Sequence, residues 1–281
     1  MGREDNLEVF IDTEKLVKTN EKLRASVKAS EAKQKLILEK DEVVVSNLNR
    51  YEEAASVIVS KKRTFEAASA YKNLKTAVHN FASASNPGGG VVRGANAQEE
   101  CLCRCSGLYF CLNVPAMWDG FYKPHRAAHD PIHNDDIIYT PDVTVFKTDT
   151  AIPILMPESE WYNVDVITCA APNLRENPGN IFNHGDGNSK ASVGDKELLT
   201  IHEKRLRRIL DVAVNEGAEA VILGAFGCGA FMNNPDVVSA AAKDVVKDYL
   251  KAFKVIEFAV YCSPRDTSNF VAFDRSLKDY K

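Results

Sequence analysis

The chain has 281 residues, 45% hydrophobic and 26% charged, with a net charge of −4 and a pI near 5.9. That length carries one large domain with a sizeable core, and the acidic balance excludes non-specific binding to duplex nucleic acid, which needs a basic face. No signal peptide opens the chain, no apolar run approaches the roughly 18 residues of a spanning helix, and seven cysteines without a secretion signal read as reduced thiols. The expected location is the cytoplasm, away from any membrane, and the expected state is a monomer.

From Asp12 to about Lys40 the chain is rich in Lys, Glu, Ala and Leu at helical spacing, with Leu16, Leu23, Val27 and Leu36 on one stripe. A short helix is expected over Glu66-Ala67-Ala68-Ser69-Ala70. Residues 1–72 therefore read as an N-terminal helical extension packed on the core, and residues 73–281 as the core itself.

After Lys72 strands and helices alternate. Thr76–Ala82 reads as a buried strand entering the loop Asn86-Pro87-Gly88-Gly89-Gly90, which continues through Arg93 and Asn96 to Gln98-Glu99-Glu100. Asn96 has the character of an N-cap and Glu99 stands three residues on, the spacing of a capping box. A helix is expected from Ala97 to about Leu112. A proline-rich stretch follows, with a short strand at Val143–Phe146 and a strong one at Val164–Cys169; residues 175–193 read as a mobile loop. Asp195–Glu216 is the clearest helix. Ala220–Leu223 is an apolar strand leading to a second glycine loop, Gly224-Ala225-Phe226-Gly227-Cys228-Gly229-Ala230-Phe231. Asn234 and Pro235 read as N-cap and N1 of a helix reaching about Phe253, and Val255–Tyr261 as the last strand. The pattern implies an α/β sheet in three layers, with ligands at the carboxyl ends of the strands, where both glycine loops begin.

The second loop directs N–H groups into a concavity suited to phosphate, although a plain strand-to-helix turn also accounts for its glycines. Cys101, Cys103 and Cys105 on one helix cannot converge on a metal, because residues two apart point about 200° apart. They read as buried thiols, and Cys228 has no identifiable base beside it. Pro131 breaks the helix that His125, His129 and His133 would need to share a face. No metal site and no cofactor are expected. Glu99 and Glu100 are the sharp feature. Acids favour the first turn of any helix, and the capping spacing accounts for Glu99 but leaves Glu100 for chemistry. A glutamate poised to protonate a leaving oxygen suits glycoside cleavage.

Gly88-Gly89-Gly90, seven residues, then Gln98-Glu99-Glu100 resembles the GGG…QEE signature of poly(ADP-ribose) glycohydrolases. The flanking Asn80–Pro87, Thr168–Asn173 and Gly224–Phe231 with Asn233-Asn234-Pro235 are similar to the short bacterial-type branch. The likeness spans roughly residues 60–265. It implies a macrodomain fold, a mixed sheet flanked by helices, holding ADP-ribose across the strand ends. It also implies that Glu100 is the catalytic acid, Glu99 a holder of ribose hydroxyls, Gln98 a support for the pair and Asn86 a contact of the distal ribose. Backbone amides of Gly88, Gly89 and Gly90 and of Gly227, Cys228, Gly229 and Ala230 would surround the diphosphate, with Phe231 against ribose or nucleotide.

In the implied reaction Glu100 protonates the 2′-oxygen, the ligand diphosphate stabilises the oxocarbenium ion, and Glu100 then activates water. Adjacent helical residues diverge by about 100°, so Glu99 and Glu100 cannot flank one bond from opposite faces. The expected activity is exo-acting hydrolysis of the ribose–ribose bond, the substrate being poly(ADP-ribose) or ADP-ribosylated protein. A reader that binds ADP-ribose without turnover, or a hydrolase of mono-ADP-ribosyl conjugates, is the alternative.

Overall fold

The computed structural model describes residues 2–181, 183, 185–263 and 265–280. Its strands are β1 (Lys35–Ile37), β2 (Ser56–Ser60), β3 (Thr76–Ala82), β4 (Ile137–Val145), β5 (Tyr162–Ala170), β6 (Ala220–Leu223) and β7 (Val255–Ala259). Its helices are α1 (Arg3–Thr19), α2 (Glu21–Ala32), α3 (Thr64–Ala68), α4 (Gln98–Cys105), α5 (Leu108–Leu112), α6 (Pro115–Met117), α7 (Lys123–Ala128), α8 (Asp195–Asn215), α9 (Pro235–Val246) and α10 (Ser268–Ser276).

The strands form one seven-stranded sheet in the order β1-β4-β5-β3-β6-β7-β2. β3 lies parallel to β5 and β6, and β7 parallel to β6 and β2, whereas β4 runs antiparallel to both β5 and β1. Alternation along each strand sorts the core between the two faces. Ala77, Ile167, Val221 and Ile256 pack with α8 and α9. Val78, Val166 and Ile222 pack with Phe10 of α1, Phe65 of α3 and Leu102 of α4. The expected three layers are present. Because β3 and β6 run parallel side by side, both glycine loops leave the same edge of the sheet.

The N-terminal quarter is more than a helical extension. It supplies both edge strands, β1 and β2, so the sheet crosses the expected boundary at residue 72. α1 begins at Arg3 and buries Asn6, Phe10, Thr13 and Val17, while of the expected stripe Leu23 is buried and Leu16, Val27 and Leu36 pack against the core. A polar anchor seats α1: the buried Lys147 ammonium donates to Val9 O at 3.0 Å and Thr13 Oγ1 at 2.8 Å and pairs with Asp12 at 2.7 Å.

Other boundaries differ from expectation. The helix expected over 97–112 breaks at Ser106, which is extended; its hydroxyl donates to Leu102 O and accepts from Leu108 N, ending α4 and starting α5. β4 is nine residues long despite Pro141, because the ladder slips between Thr140 and Val143 at that proline and Asp142 takes φ 53°. α9 stops at Val246, where a 3₁₀ turn follows over Lys247–Tyr249, and β7 stops at Ala259. β3 and β6 match their expected spans residue for residue.

α1 meets the first glycine loop at Gly94. There φ is 73° and an added Cβ would stand 2.0 Å from Arg3 O. Gly94→Ala is therefore expected to destabilise the protein by about 2 kcal/mol or more, through strain and displacement of α1. Thermal unfolding tests this, and an unchanged Tm would contradict the packing.

Candidate active site

β3 ends at Ala82 and the chain turns into Gly88 (φ 63°) and Gly89 (φ 59°), left-handed conformations that suit glycine. The close approach matters more. A Cβ on Gly89 would stand 2.5 Å from Glu100 Oε1 and 3.1 Å from Glu99 Oε2, so the loop lies directly on the acid pair.

Gln98 locks α4 to the end of β3. β6 pairs with β3 only over Thr76–Val78, and Gln98 takes the place of a strand beyond it. Its Oε1 accepts from Phe81 N at 2.9 Å, and its Nε2 donates to His79 O at 2.7 Å and Thr64 Oγ1 at 3.0 Å.

The two carboxylates are buried but compensated. Glu99 accepts from Asn80 Nδ2 at 3.2 Å, Ser83 N at 2.8 Å and the Gly88 amide. Burial, reinforced by the Glu100 charge, pushes Glu99 up to about 8 against the pull of those donors. Glu100 accepts from Gly90 N and Ala97 N, each at 2.8 Å. This reverses the capping expectation. The N-cap is Ala97, and Glu100, not Glu99, is the N3 acid that reaches back to it. Asn96 does not cap, because the Arg104 guanidinium takes its Oδ1 at 2.5 Å.

The amides of the first loop face the protein as well. Gly88 N serves Glu99, Gly89 N donates to Asn86 O at 3.0 Å, and Gly90 N serves Glu100. The second loop differs. There Gly227 has φ 77°, and Cys228 N and Asn233 N are used within the turn. Among the described residues the N–H groups of Gly227, Gly229, Ala230 and Phe231 make no hydrogen bond, and the Cα of Gly229 faces open space. Buried Asn233 holds the turn, donating to Pro172 O at 2.6 Å and meeting His202 Nε2 at 2.8 Å.

The two loops border one cleft of about 780 Å³. Asn86, Gly89, Gly90, Gln98, Glu99, Glu100, Gly227, Gly229, Ala230 and Phe231 all line it, whereas Gly88 and Cys228 are not on its surface. Burial holds the Cys228 thiol well above its ordinary range, which does not suit a nucleophile. Phe231 carries the Arg175 guanidinium 5.6 Å from its ring, and Asn86 Oδ1 accepts from Arg126 at 2.6 Å. Cys101, Cys103 and Cys105 are buried thiols. The three histidines do not form one cluster: His125 bonds Phe121 O and Asn134, His133 donates to Ala171 O with its ring 6.2 Å from that of His125, and His129 adopts φ 50°.

Several cleft residues escaped the sequence reading. Asn80, beneath the cleft surface on Glu99, is a buried amide in an apolar strand, a signal that was visible. Tyr261, half exposed with Arg63 4.0 Å over its ring, is the aromatic just past the last strand. Arg3 comes from far away in the chain and carries no local signal.

The model of the microbial-type PARG catalytic domain matches residues 6–148. The chain belongs to this family, the microbial-type poly(ADP-ribose) glycohydrolases. It is similar to the crystal structure of poly(ADP-ribose) glycohydrolase from Thermomonospora curvata, with TM-score 0.82 and 26% identity over 97% of this chain and 99% of that one. It is also similar to the same enzyme bound to the inhibitor ADP-HPD, with TM-score 0.80 and 28% identity over 97% and 99% of the two chains. The enzyme from Deinococcus radiodurans in complex with ADP-ribose matches at TM-score 0.74 and 30% identity over 90% and 97%. No curated protein sequence matches the chain. The protein is thus a glycosidase that hydrolyses poly(ADP-ribose), and among the described residues no helix is long and apolar enough to cross a membrane.

The acid pair of this glycohydrolase has a pH signature. The folded protein holds a proton on Glu99 that the unfolded chain releases, so this group's stabilising contribution falls as pH rises from about 4.5 to about 8. Glu99→Gln is expected to remove that component, flattening stability against pH across this window. Denaturant titrations of both proteins at several pH values measure it, and parallel curves would contradict the assignment.

Proposed function

We propose that Glu100 is the general acid and base at the ribose–ribose bond, with Glu99 holding ribose hydroxyls beside it. The observation that carries this reading is the placement of both carboxylates at the cleft surface, under Gly89 and opposite the unused amides of the second loop. ADP-ribose would lie across the strand ends, its diphosphate on the N–H groups of Gly227, Gly229, Ala230 and Phe231 and its distal ribose toward Asn86. Phe81, Phe226 and Tyr261 offer an apolar wall for the base at the other end.

The chemistry follows from the pair. Burial raises Glu99, so it holds a proton at neutral pH beside Glu100. Glu100 protonates the 2′-oxygen as the anomeric C–O bond breaks, and the ligand diphosphate faces the developing cation. Ionised Glu100, returned to its two amide donors, then takes a proton from the attacking water.

We read the enzyme as exo-acting, supported by the Arg63–Tyr261 stack that walls the cleft at the end away from Glu100. The further proposal of a cytoplasmic monomer that does not bind duplex nucleic acid is supported by seven free thiols and the acidic balance.

Glu100→Gln is expected to lower kcat on poly(ADP-ribose) by about 10²–10⁴-fold while ADP-ribose affinity is largely kept. Product release and ADP-ribose titration read the two effects separately. Full activity in this variant would overturn the assignment.

A further inference from the structure

The cleft separates its charges. The acids that line it, Glu99, Glu100 and Asp149, are buried, while Arg3 is exposed and Arg93 half-buried at its rim. A protein of net charge −4 that works on a polyanion needs local cations where the polymer lies. Two of the four arginines lining the cleft are committed to its inner walls. Arg63 stacks on Tyr261, and Arg175 bonds Asn173 and Pro178 O beside Phe231.

Arg93 stands elsewhere, on the loop that holds Glu100, and Arg3 opens the helix packed against that loop. Arg93 Nη2 lies 3.8 Å from the point a Cβ on Gly90 would occupy, and Glu100 Oε1 lies 3.6 Å from that same point. Arg3 Nε donates to Arg93 O at 2.8 Å, and Asn6 Nδ2 to Gly94 O at 3.2 Å. The Lys147 anchor fixes the helix that carries Arg3. Two arginines from distant parts of the chain thus meet at one rim, on the segment that supplies both donors to Glu100.

We propose that Arg3 and Arg93 bind the diphosphate of the ADP-ribose unit on the leaving side of the cleaved bond. This rests on the reading of Glu100 as the acid. The oxygen that takes Glu100's proton belongs to the leaving unit, so that unit lies against Glu100 over residues 90–97, away from the second glycine loop. Its adenosine carries a 5′-diphosphate, and the two arginines are the cations on that side. The pair distinguishes polymer from a terminal unit attached to anything without phosphate.

The test compares two substrates with the same scissile bond: poly(ADP-ribose), and ADP-ribose joined to the 2′-hydroxyl of adenosine that lacks 5′-phosphates. Arg3→Gln and Arg93→Gln together are expected to lower kcat/KM on the polymer about tenfold and to flatten its log–log salt slope by about 0.7 per lost phosphate contact. On the phosphate-free substrate only the smaller loss that comes from releasing segment 90–97 from α1 is expected, so the preference for polymer falls. Arg93→Lys, which keeps a point charge, is expected to restore most of the polymer preference. Equal losses on both substrates, or an unchanged polymer rate and salt slope, would overturn the proposal. Failure of the Glu100 reading shows separately, as an active Glu100→Gln protein.

Discussion

Two carboxylates must be buried side by side at the start of a helix, and the structure around them is arranged to make that tolerable. An unpaired buried carboxylate is costly in water-free surroundings. Glu99 and Glu100 are offset by backbone N–H groups of Ser83, Gly88, Gly90 and Ala97 and by the Asn80 amide. This explains the glycines in a way that ligand contact alone does not. Only a chain without Cβ atoms can pass close enough to donate to both acids, and Gly89 would collide with Glu100 if it carried one. The first loop is a clamp on the two acids, and the second loop keeps its amides open.

The same constraint reaches into the N-terminal quarter. Segment 90–97 supplies both donors to Glu100, and α1 holds it from outside through Arg3 and Asn6. Thr13 of α1 also donates to Arg104 O at 2.6 Å, while the Arg104 guanidinium donates to Ala95 O at 2.6 Å and to Asn96 Oδ1. Helix, buried cation and loop form one connected network that ends at the acid. The first 60 residues, which look like a solvated adornment, contribute two strands to the sheet and a wall to the site.

Much of this was legible in the sequence, and the reasons for the rest are local. β3 and β6 were readable because apolar runs bounded by glycine loops suit strands buried on both faces. The start of α9 was readable from Asn234 and Pro235. β4 was hidden because Pro141 argues against a strand unless a bulge absorbs it. β1 and β2 were hidden by short length and charged neighbours. The helix start at the site slipped by one residue because Asn96, a good cap in isolation, is captured by a buried arginine that no local pattern reveals. That slip moved the capping role from Glu99 to Glu100, and it leaves Glu99 as the acid whose proton affinity the fold raises.

The central claim is that the acid pair and the open amides of the second loop address one ligand across the cleft. A crystal structure of the protein with ADP-ribose tests it most directly. The account predicts the diphosphate oxygens within hydrogen-bond distance of the Gly229, Ala230 or Phe231 N–H groups, and the distal ribose hydroxyls on Glu99 and Glu100, with Gly90 N still held by Glu100. A diphosphate seated away from the second loop, or a distal ribose out of reach of both carboxylates, would contradict it.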